Sequence, residues 1–192
     1  MLNYILGVDE VMVHWLRTNK YASVVLLLIR LYLGYKWLLD GFSKVWGDSS
    51  PFNAAGYMQN VVKNPVLGPE KDVLYPVFNG FIENIALPHA QLFSFFVAWG
   101  EFLIGLGLIF GVLTTAATFF ALFMNFIYLF AGTVSVNPLY ILLGSILLFS
   151  GFNAGKIGGD YWVIPFIRRF VKEKLHLVGN HSGSSQPSAS IK

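Results

Sequence analysis

Arg30 and Glu101 are the residues of this chain best placed to do chemistry. Each falls at the middle of a long apolar run, where an ionised side chain needs a partner or a wet cavity. The two runs are consecutive spans, hence antiparallel, so midpoint meets midpoint and an Arg30–Glu101 pair is expected. Such a pair is either a binding or proton-handling site, with both residues catalytic, or an ion pair that fixes helix register. Lys36, Asp40 and Lys44 follow Arg30 at i, i+4 and i+8 spacing on one helix face. Lys36 lies about 9 Å outward of Arg30, from the helical rise per residue. Lys44 reads as a residue that snorkels to the interface, with Asp40 as partner to one of the lysines. Asn125 lies just outward of the middle of a third apolar run, where an amide hydrogen-bonds a neighbouring helix or a ligand. With Arg30, Glu101 and Lys36 it outlines a polar pocket in the outer half of the membrane, walled by Trp37, Trp99 and Tyr128. Lys156 and Asp160, at i, i+4, read as a structural pair.

The elements that position these residues are apolar helices. The chain has 192 residues, 55% hydrophobic and 12% charged, with mean hydropathy +0.60. Soluble domains carry roughly twice that charged fraction. The expected fold is all-α: a four-transmembrane-helix bundle with spans at about 22–39, 92–110, 113–131 and 139–154. An amphipathic segment, 1–21, precedes this 22–165 domain. The segment 41–91 carries amphipathic helices over 76–86, where Phe78, Phe81, Ile82 and Ile85 recur at helical spacing, and more weakly over 54–62. Residues 166–178 form a basic amphipathic helix suited to an anionic leaflet, and 179–192 a Gly/Ser-rich disordered tail. The N-terminus, interrupted by Asp9 and Glu10, does not read as a cleavable signal peptide.

Loop charge sets orientation. Arg17, Lys20, Lys156, Arg168, Arg169, Lys172 and Lys174 flank one side, against Lys44, Lys63 and Lys71 on the other. Both termini are thus expected in the cytoplasm and 41–91 outside. The net charge of +3 fits topology and anionic lipid rather than nucleic acid. The absence of cysteine excludes disulfides, iron–sulfur clusters and covalent c-type haem. The histidines, His14, His89, His176 and His181, all lie outside the spans, so no haem or metal site is apparent. Gly100, Gly105, Gly107 and Gly111 crowd the second span, and Gly151, Gly155 and Gly159 form a small-residue ladder at the end of the fourth. Both read as close packing.

Arg30, Gly34, Trp37-Leu38, Gly41 and Lys44 resemble the first-span pattern of the DoxX family. Gly100-Glu101 with Gly105, Gly107 and Gly111 is similar to its second helix. Met124-Asn125, Ala131-Gly132-Thr133, Ser135 and Asn137-Pro138 are similar to one branch of it, as are Ala154-Gly155, Gly158 and Asp160 ahead of Pro165. The resemblance runs through residues 22–165. It implies a multi-pass protein of a prokaryotic cell membrane, and relatives include the membrane subunit of a thiosulfate:quinone oxidoreductase. By that analogy the chain is a quinone-linked oxidoreductase component with a soluble or small membrane redox partner. Membrane-pool quinone is then the cofactor, and Arg30, Glu101 and Asn125 lie at or near the quinone or anion site. The alternative is a non-enzymatic membrane anchor or assembly partner of a redox complex. The glycine ladders serve either the monomer's own core or a homo-oligomer.

Overall fold

A computed structural model describes residues 2–182, all-helical apart from an isolated bridge between Leu67 and Val73. The helices are α1 (Leu2–Thr18), α2 (Lys20–Val45), α3 (Ala55–Lys63), α4 (Pro76–Phe81, continued by a π-helical turn Ile82–Ala86), α5 (Ala90–Phe110), α6 (Thr114–Phe130), α7 (Asn137–Ser150), α8 (Phe152–Gly155) and α9 (Asp160–Ser182). Two of them, α2 and α5, are long and apolar enough to cross a membrane; α6 and α7 are apolar but have 17 and 14 residues.

Asn19 starts α2, its side chain accepting a hydrogen bond from the Tyr21 amide at 2.7 Å, as a capping residue does. The helix continues past Leu39 to Val45, because Asp40 and Lys44 end the apolar run without opposing helix. α2 packs antiparallel on α5, and glycines set the register. A Cβ at Gly41 would overlap the Phe102 backbone, one at Gly105 the Leu38 backbone, and one at Gly34 would press on Leu108 and Ile109. Leu26, Leu33 and Trp37 of α2 meet Ile104 and Leu108 of α5, Ala121 of α6 and Tyr140 and Leu147 of α7 in one buried core.

The helix ends depart from the apolar runs at defined places. α7 stops at Ser150 instead of running to 154, because Gly151 takes a positive φ, a conformation that glycine adopts freely and that ends a helix. Gly151, Gly155 and Gly159 therefore do not form a ladder on one helix. Gly155 packs against Thr114 and the Asp160 carboxylate, and Gly159 against Val112. In the 76–86 segment the π turn, closed by Leu87 N to Ile82 O at 2.8 Å, rotates the apolar face. Phe78, Ile82 and Ala86 face inward, whereas Ile85 within the turn and Phe81 just before it are exposed. Ala54, Met58, Val61, Ile82 and Ala86 make a second core over the N-terminal end of α5. Buried Ala54 N donates to Ser94 Oγ at 2.8 Å, tying this cap to α5. The expected disordered tail lies, from residue 183 on, outside the described residues; α9 itself begins at Asp160 and extends to Ser182.

Candidate functional site

The glycine register separates the two central charges. Glu101 lies opposite Gly41, and Arg30 lies against Gly111 at the far end of α5. The stretch of α2 from Arg30 to Gly41 divides these levels by about 16 Å along the helix axis. The expected Arg30–Glu101 pair is therefore not formed. α5 begins beyond the end of α2, so their midpoints do not meet.

Glu101 is 2% exposed. One carboxylate oxygen accepts from Lys44 Nζ, one turn past Gly41, in an ion pair; the other accepts from the Tyr128 hydroxyl at 2.6 Å. Lys44 is thus the partner of Glu101 rather than of Asp40, and it also lies 5.4 Å from the Phe52 ring centroid. The Tyr57 ring from α3 stands edge-on to Tyr128, centroids 6.4 Å apart, and the Tyr57 hydroxyl bonds Thr133 Oγ1 at 2.8 Å. Burial raises the Tyr57 pKa, with the Thr133 hydrogen bond acting in the opposite direction, so its hydroxyl stays protonated.

One helical turn inward from this cluster lie two buried groups with no hydrogen-bond partner among the described residues. Trp37 Nε1 sits a turn before Gly41 on α2, and Asn125 Oδ1 a turn before Tyr128 on α6. Their residues are 4% and 1% exposed. A donor and an acceptor left unpaired in a core cost free energy.

The other expected site residues fall elsewhere. Lys36 is half-buried and Asp40 exposed; neither forms an ion pair among the described residues. Trp99 packs on Trp46 and Phe102, at centroid distances of 5.3 and 6.0 Å, in an aromatic patch away from Glu101. On α5 Trp99 is two residues from Glu101, which places it across the helix.

Arg30 belongs to a second cluster. Its Nη2 donates to Ile157 O at 2.8 Å, and Gly111 and Gly158 close on the guanidinium, leaving Nε and Nη1 without partners among the described residues. Asp160 does not pair with Lys156, which is exposed. It accepts from Leu113 N at 2.7 Å and Thr114 N at 3.0 Å, capping α6, and acts electrostatically on Arg30. Gly159 N and Asp160 N bond Phe110 O and Gly111 O, at 3.0 and 2.6 Å. Asp160→Ala should therefore lower stability by about 2 kcal/mol, the upper range for a lost cap. Unfolding in detergent measures this, and Lys156→Ala is the neutral control.

Tyr57, Thr133 and Ile157 were not legible as site residues. Lys44 carried one usable signal: it stands one turn beyond Gly41, at a close-packed helix contact.

The fold and site thus define an all-helical membrane protein with a buried, hydrogen-bonded carboxylate next to unpaired polar groups. The DoxX family model matches residues 25–133, more than half of the chain, and the protein belongs to the DoxX family. The match includes Arg30, Glu101, Asn125 and Tyr128 and stops before the segment around Asp160. No curated relative and no solved structure matches the chain.

Proposed function

We propose that the chain crosses the membrane four times, through α2, α5, α6 and α7, and serves as the quinone-reactive component of a membrane oxidoreductase. Contacts of α2 with α5, α5 with α6, α6 with α7 and α7 with α2 close a ring of four helices. By its helical rise α7 is about 21 Å long, shorter than the hydrocarbon layer, which is roughly 30 Å thick. Buried Asn153, Ala154 and Gly155 extend its path; irregular backbone at membrane depth is tolerated where it is packed in protein. The distribution of lysine and arginine along the chain favours cytoplasmic termini.

The observation that carries the reading is Glu101, held by Lys44 and Tyr128, one turn from unpaired Trp37 Nε1 and Asn125 Oδ1. The unpaired donor and acceptor fit the oxygens of a quinone/quinol head. A bound quinone supplies two-electron, two-proton redox chemistry, with electrons exchanged with a redox partner protein. Trp37 Nε1 would donate to a ring oxygen, and Asn125 Oδ1 would accept from a quinol hydroxyl. Glu101 would take up or release the proton, with Lys44 steadying its charged form and Tyr128 orienting it. Arg30, sealed at the opposite end, has no part in this chemistry. Lys36, on the α2 face leading outward, is left as the cation that an anionic donor of the thiosulfate type would meet.

Titration of the protein in nanodiscs with a short-chain quinone, read by tryptophan fluorescence, tests this. Saturable quenching is expected, with Kd raised about tenfold or more by Asn125→Leu and by Glu101→Gln, a loss of about 1.4 kcal/mol or more. Absence of saturable quenching in a folded sample would overturn the proposal and leave the anchor or assembly role.

A further inference from the structure

α9 leaves the bundle at a fixed level. Its first residue, Asp160, caps α6 through Leu113 and Thr114, where the apolar helices α5 and α6 turn. Tyr161 and Trp162 follow, exposed, as aromatic residues do at a membrane interface. From Pro165 to Lys174 every side chain is exposed, and α9 meets α8 at its root.

The exposed length is sharply two-sided. At the angular step of an α-helix, Val163, Phe166, Ile167, Phe170 and Val171 share one arc, and Arg168, Arg169 and Lys172 the opposite one. Phe166 is 70% and Phe170 53% exposed. Lys174 stands on the apolar side but folds over Phe170, Nζ 5.8 Å from the ring centroid, with its charge free to reach outward. Arg168, Arg169, Lys172 and Lys174 face a single acidic residue in this stretch, Glu173. A soluble acidic surface would satisfy the cations but leave the phenylalanines in water unless it also carried an apolar groove. A neutral bilayer would cover the phenylalanines but leave the cations without counter-charge. An anionic leaflet satisfies both, at the level where Asp160 starts the helix.

We propose that residues 161–174 of α9 dock on anionic phospholipid headgroups. The helix lies in the plane of the leaflet at the α5–α6 turn, with Phe166, Ile167 and Phe170 at the acyl boundary and Arg168, Arg169 and Lys172 at the phosphates. Because Ile157 and Asp160 at its root hold Arg30 and cap α6, the docked helix is anchored to the bundle at that end.

The chain lacks cysteine, so single-cysteine variants can be labelled cleanly. Phe170→Cys and Lys172→Cys carry a polarity-sensitive fluorophore in nanodiscs of phosphatidylcholine alone or with phosphatidylglycerol. With phosphatidylglycerol, the label at 170 should shift to the blue and be quenched severalfold more by lipid-borne spin labels than the label at 172. Salt, or the triple change Arg168→Gln, Arg169→Gln and Lys172→Gln in the Phe170→Cys background, should remove the phosphatidylglycerol effect. Equal signals at 170 in the two lipids would overturn the proposal. So would a label at 170 that stays in water until an acidic soluble protein is added. All the altered side chains are exposed, so loss of the effect reports on docking rather than folding.

Discussion

Lys44→Met should destabilise the protein by roughly 3–5 kcal/mol, the usual consequence of leaving one member of a buried ion pair alone. Glu101 is almost fully enclosed, and Lys44 is its cationic partner. The effect should largely disappear in Lys44→Met combined with Glu101→Gln. The amide is neutral, and its carbonyl can still accept from Tyr128. A double-mutant cycle in detergent unfolding reads the coupling directly. If Glu101 instead paired with Arg30, Lys44→Met would be nearly silent, within about 0.5 kcal/mol, and Glu101→Gln would rescue an arginine variant. The geometry predicts the first pattern, because Gly41 opposite Phe102 brings Lys44, not Arg30, to the carboxylate.

Gly105→Ala is the second large effect, at about 3 kcal/mol or more, the upper range for overpacking. The added methyl would overlap Leu38 backbone, which cannot swing aside as a side chain would, so α2 and α5 would have to separate. The register that assembles the site depends on that contact, so quinone binding should fall along with stability. Gly100→Ala, on the same helix, is the contrasting case. Its Cβ would find only Met124 Sδ at 3.7 Å, an ordinary contact. The gain in helix propensity should stabilise by about 0.5–1 kcal/mol. Thermal unfolding of the two variants side by side separates a glycine required by packing from one that is merely tolerated.

The same glycines explain how far the sequence could be read. Long apolar runs located α2 and α5 and most of α6 and α7, and buried Glu101, Arg30 and Asn125 stood out by type and depth. Partnership did not, because it depends on register. A midpoint rule assumes that helices begin and end level. Here Gly34, Gly41 and Gly105 slide α5 past the end of α2, and a shift of a few turns exchanges Arg30 for Lys44. The break at Gly151 rests on a backbone angle that a hydropathy pattern does not encode, so Asp160 passed for the partner of Lys156 instead of the cap of α6. Tyr57 sits on a short helix between α2 and α5 and meets Tyr128 only through tertiary folding. Its sequence neighbourhood holds no sign of that contact. The amphipathic 76–86 segment was legible as a helix, with Phe78 and Ile82 on its inward face, but Ile85 turns outward and Ala86 inward, since the π turn rotates the residues within and after it.

Infrared difference spectroscopy tests whether Glu101 exchanges a proton with a quinone bound beside it. Quinone-loaded protein in lipid is cycled electrochemically between oxidised and reduced forms while the carboxyl C=O stretching region is recorded. A protonated-carboxyl band should change with the redox state and vanish in Glu101→Gln, while Asp160→Asn leaves it in place. A redox-difference spectrum with no carboxyl band, or one that Glu101→Gln leaves unaltered, would mean that Glu101 takes no proton in quinone chemistry.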